Sequence, residues 1–85
     1  MPLYLDHHPM AGPIPPEMIE AAAAKINSGK ADEFGGKGVN AFYSDKETWC
    51  LTEASDTEAI HKSHEAIGIK LGPGDVKEVK SFVPV

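Results

Sequence analysis

The 85 residues, 41% hydrophobic and 25% charged, are enough for one small globular domain over 1–85, which at this size buries roughly 60–65% of its unfolded surface. Thirteen acids against eight bases leave a net charge of −5, and every base is a lysine, so the chain has neither a basic stripe nor an arginine fork for phosphate or guanine and does not read as a nucleic-acid binder. No apolar run approaches the ~20 residues of a membrane span; Met1 to Asp6 shows no export signal; and the lone Cys50, which cannot close an internal disulfide, suits a reducing cytoplasm.

Leu3 to His8 reads as a strand, with Leu3, Leu5 and His7 on one face and Tyr4, Asp6 and His8 on the other. Pro9 ends it, and Pro13, Pro15 and Pro16 stiffen the loop over 9–16. Pro15-Pro16 is a good helix entry, and Met18, Ala21, Ala22, Lys25 and Ile26 keep helical spacing. Asn27-Ser28-Gly29 is the predicted stop. Residues 30–38 form a polar, glycine-rich loop.

Val39 to Ser44 and Thr48 to Glu53 are predicted strands joined by a polar turn, hence a hairpin. Ser55-Asp56-Thr57-Glu58 has the form of a capping box, so a second helix should start at Asp56 and stop at Gly68. Val76 to Val83 is the last strand. The order β-α-β-β-α-β is that of a ferredoxin-like α+β sandwich, a four-stranded antiparallel sheet with two helices on one face. Its other face must be hidden, with Tyr4 and its neighbours and one side of Phe42/Trp49 as candidates. A homodimer packed through that open face is therefore expected.

The side chains able to carry chemistry are few. Asp6, His7 and His8 stand at the end of the first strand, Cys50 on the third, and His61 and His64 on the second helix. His64 falls near the middle of the helix stripe formed by Ile60, Ser63 and Ile67, with His61 at its edge. Imidazole suits zinc, copper, iron and nickel, thiolate the softer cations, and carboxylate adds a hard donor. Simpler readings exist for each residue: a hydrogen-bonded core histidine at 64, a solvated one at 61, a polar strand end at 7 and 8, and a small buried hydrophobe at 50. No strong metal signature such as C-x-x-C or H-E-x-x-H is present. Cys50 has no helix N-terminus beside it to make it a nucleophile.

Leu5-Asp6-His7-His8, Thr48-Trp49-Cys50-Leu51-Thr52-Glu53-Ala54 and the helix through His64-Glu65-Ala66-Ile67-Gly68 resemble the small nickel-binding, ferredoxin-like proteins of bacteria, a domain family of otherwise unknown function. The resemblance covers nearly the whole chain. It implies a cytoplasmic homodimer with a divalent transition metal, and it favours the histidines of the first strand, Cys50 and His64 as ligands. The expected function is thus metal binding, with Ni2+ foremost and Zn2+ or Cu2+ as alternatives, for sequestration, storage or delivery. The competing expectation is a small-molecule binder or an isomerase- or oxygenase-like enzyme, with a pocket between helices and sheet.

Overall fold

A computed structural model describes residues 1–10 and 12–85; position 11, within the proline-dense stretch 9–16, lies outside the described residues. The elements are β1 (Leu3–Pro9), α1 (Pro16–Ser28), β2 (Lys37–Tyr43), β3 (Glu47–Glu53), α2 (Thr57–Glu65) and β4 (Val76–Val79). The strands form one antiparallel sheet in the order β2-β3-β1-β4. This is the ferredoxin-like sandwich, with β1 and β3 at the centre.

Strand alternation sets the two faces. Tyr4, Asp6 and His8 are buried under the helices, while Leu3, Leu5 and His7 are only half-buried on the other side. Tyr4 therefore belongs to the core rather than to the open face. Opposite Leu5 and His7 stand Leu51 and Trp49, and these four make the centre of the uncovered side. Val39 is an extra residue between the pairs Gly38↔Thr52 and Asn40↔Leu51, a bulge that realigns the end of β2. Gly38 sits against α1: a Cβ there would stand 3.1 Å from Ile26 Cγ1, which leaves little room for any side chain.

The helices end as simple local chemistry directs. Pro16 opens α1 and Gly29, at φ 67°, closes it in the left-handed region. The cap of α2 is Asp56, whose carboxylate accepts from the Ala59 N–H at 3.0 Å. Ser55 does not play that part, so the capping frame is one residue later than the S-x-x-E pattern suggests. The helix also stops earlier, at Glu65, and a turn follows with Gly68 at φ 83°. The last strand is shorter than predicted because Val79 pairs with Leu3, the first residue of β1. Beyond Val79 the chain pairs with no strand among the described residues, and Phe82 is fully exposed.

The core is one-sided. Ala59 and Ile60 of α2 pack with Tyr4, Ala54, Leu71 and Val76. The loop before β2 is tied to this helix: Asp32 accepts from the Phe34 and Gly36 N–H groups at 2.9 Å and from the Ser63 hydroxyl. Burial would raise Asp32, but these hydrogen bonds outweigh it and hold the carboxyl below its usual range. By contrast, α1 has no buried residue.

Candidate metal centre

The inward face of β1 carries two ionisable groups into the interior. Asp6 is completely inaccessible and His8 is 5% exposed. Asp6 lies directly across from Cys50 on β3, and His8 across from Thr48. One turn after Ile60, His64 descends from α2 onto the same spot and is itself buried. Asp6, His8, Cys50 and His64 each offer a donor atom, and all four atoms lie within 4.8 Å of one another.

Hydrogen bonding orients one of the rings. His64 Nδ1 is 2.9 Å from the Ile60 carbonyl oxygen. A carbonyl only accepts, so Nδ1 carries a proton and Nε2 faces the cluster. His64 Nε2 is 3.2 Å and His8 Nε2 4.0 Å from Asp6 Oδ1. The shorter approach is an ion pair, and neither Asp6 oxygen has a hydrogen-bond partner among the described residues. The two imidazoles meet edge to face, with centroids 5.5 Å apart.

The electrostatics split the two histidines. For His64, burial alone would lower the pKa, but contacts with Asp6, Cys50 and the Ile60 carbonyl outweigh it and lift it to about 10. His64 is therefore an imidazolium beside a carboxylate at neutral pH. For His8, burial dominates, Asp6 only partly offsets it, and the pKa falls below 6.5. His8 thus presents a neutral ring.

A fully buried carboxylate without a directed donor is costly unless a cation faces it. The His64 imidazolium supplies that charge in part. A metal ion would supply more of it, and the donor set suits one: two imidazoles, a thiol and a carboxylate are the N, S and O ligands of first-row transition metals. The Ile60 carbonyl on the far nitrogen of His64 is the outer contact that a ligating imidazole ordinarily has.

Two of the predicted residues lie elsewhere. His7 points to the open face, with Nε2 2.7 Å from Glu47 Oε2 and its ring stacked on Trp49. His61, on the flank of α2, is not in the group of converging donors. Sequence reasoning missed Thr48 as a polar neighbour of the site. Its hydroxyl is buried and has no partner among the described residues. The signal was its place two residues before Cys50, on the same face of the strand.

Fold and site together define a small ferredoxin-like α+β protein with a cluster of mixed donors in which Asp6, His8 and His64 are buried and Cys50 is half-buried. The chain belongs to the nickel responsive protein SCO4226-like family, whose model matches residues 4–72. All four converging residues fall within that span. No curated protein and no solved structure matches the chain at a significant level.

Proposed function

We propose that this protein binds a divalent transition metal, nickel foremost, through Asp6, His8, Cys50 and His64, and that it serves in sequestration, storage or delivery. The supporting observation is the Asp6 carboxylate, buried without a directed donor yet within 4.8 Å of two imidazoles and a thiol. The family's description as nickel responsive points to the same metal. The same ligands accept Zn2+, and Cu2+ binds most nitrogen and sulfur sites more tightly than Ni2+. Availability therefore decides the occupant. Binding displaces the His64 proton, because Nε2 must be free to ligate. A reducing, cytoplasmic setting keeps Cys50 as a thiol. The uncovered face around Leu5, Trp49 and Leu51 supports a homodimer packed sheet to sheet.

The test uses protein purified without an affinity tag and stripped with a chelator. Titration with Ni(II) should give d–d bands and a higher melting temperature, with thiolate charge-transfer bands that vanish in Cys50→Ser. A flat spectrum together with unchanged melting would overturn the reading. Light scattering should return twice the 9.1 kDa chain mass, falling to one chain in Trp49→Lys. A parent protein that is already monomeric would remove the dimer.

A further inference from the structure

Between α1 and the sheet lies a cavity of about 290 Å³. Its walls are mostly apolar: Met18, Ile19, Ala22 and Ile26 from α1 face Ala41 of β2 and Ile69 beyond α2. The α1 residues recur at helical spacing along one side, the stripe that would ordinarily be pressed into a core. Yet no residue of α1 is buried, so the helix roofs the space and does not fill it. The cavity is close to twice the ~150 Å³ known to accommodate benzene. It is at the small end of ligand pockets, which run from about 300 Å³ upward.

One end of this apolar space is polar. His8 and Thr48 both line it, and they are direct partners across β1 and β3, pointing to the same face. His8 Nδ1 and Thr48 Oγ1 are buried and have no hydrogen-bond partner among the described residues. Two such atoms on facing residues are unusual, since buried polar groups are nearly always satisfied. Apolar walls with a few convergent polar groups are the general form of a small-molecule site.

We infer that this cavity binds a small, mainly aliphatic molecule with a single neutral oxygen group, an alcohol or carbonyl, held at Thr48 Oγ1 and His8 Nδ1. Apart from His64, which stands beside His8, the lining has no charged side chain, so the body of the ligand must be apolar. A neutral head suits the site better than a carboxylate, because the one ion pair at this end of the cavity, His64 Nε2 to Asp6 Oδ1 at 3.2 Å, is already closed within the protein and leaves no unpaired cation for a carboxylate to meet. The inference goes beyond the proposed metal binding: the cavity shares His8 with the donor cluster and reaches Cys50 and His64, while α1 and Thr48, which carry the inference, lie outside that cluster.

The experiment follows the methyl resonances of the full chain, stripped of metal, during titration with 1-octanol and, separately, octanoate. Octanol should shift the methyls of Ile19, Ala22 and Ile26 in a saturable way, and octanoate should bind more weakly. Thr48→Val, which keeps the shape and removes the hydroxyl, should weaken octanol by about 3–10-fold, the worth of one hydrogen bond. Ala22→Leu, which fills the cavity from an exposed helix position, should abolish the shifts while the circular dichroism stays that of the parent. Absence of saturable shifts at millimolar octanol overturns the inference. So does a preference for octanoate, or a response centred on Leu5 and Leu51 of the open face. Metal-free protein that binds octanol but takes up no nickel would leave this site standing and remove only the metal reading.

Discussion

The two helices cover the same sheet by different means. From α2 come Ile60, completely buried, and Ala59, both packed among Tyr4, Ala54, Leu71 and Val76. The helix is capped by Asp56 and braced through Ser63 to the Asp32 loop. On the other side, α1 has proline at its entry, no side-chain cap and no buried residue, and it stands over a cavity. The polar cluster lies at the seam between these halves, with His64 from the packed helix and His8 opening onto the cavity. Most of the packing energy is thus gathered on the α2 side, and that side can hold ionisable groups in place. The α1 side gives up burial and keeps space.

This asymmetry can be broken most directly by paired truncations. Ile60→Ala should cost about 2–5 kcal/mol in chemical denaturation, the usual loss for a fully buried aliphatic residue. Ile19→Ala on α1 should cost about 1 kcal/mol or less, because its side chain adjoins space already present. Equal losses would mean that α1 is packed as tightly as α2 and that the cavity is closed.

The seam itself is sharpened by Asp6→Asn, which keeps shape and removes charge. Nickel affinity should fall by more than the ~10–100-fold typical of an outer-contact change at a metal site, as read by calorimetry. His61→Ala should bind as the parent does. If the two variants behave alike, the four-residue site is wrong.

The two imidazoles titrate in opposite senses. His64 is raised to about 10, so its contribution to stability is fully present below about 6.5 and lost as pH rises through about 10. His8 is lowered, so its contribution is present above about 6.5 and lost as pH falls through the folded value. Metal-free protein should therefore be most stable near neutrality, and melting across pH 5 to 10, in steps of about one unit, reads this out. Asp6→Asn should flatten the alkaline limb. Nickel binding should release the His64 proton at neutral pH and tighten as pH rises well past 6.5. Calorimetry in buffers of different ionisation enthalpy counts that proton.

The smallest effect is expected on the open face. The His7–Glu47 pair is half-exposed on both sides, so His7→Ala should change the stability of the monomer by no more than about 1 kcal/mol.

Much of the fold was legible because its signals are local. Strand alternation separates Asp6 and His8 from His7, and helical spacing puts His64 on the buried stripe with Ile60. Proline at the start of α1 and glycine after its end mark that helix correctly. Where signals were local but shared by neighbours, the reading slipped by small steps. Ser55 and Asp56 are both good caps, and only the Ala59 N–H, which meets Asp56, decides between them. Val76 to Val83 has strand composition throughout, yet β4 lasts only as long as β1 offers partners. The Asp32–Ser63 brace joins residues 31 positions apart, and no pattern in the glycine-rich loop announces it.

By itself, the order of residues determined which donor types were available, which face of its own element each one occupied, and the β-α-β-β-α-β succession. The tertiary structure decided which of them meet. Strand register sets Asp6 against Cys50, and the packing of α2 sets His64 over both, whereas His7 and His61 are carried away on other faces. Both outcomes depend on contacts between distant segments, whose free energy belongs to the assembled core and to no single stretch of chain. The cavity beneath α1 has the same origin: an apolar stripe shows that a helix will face the sheet, and only the spacing of whole elements shows how far from it the helix will stand.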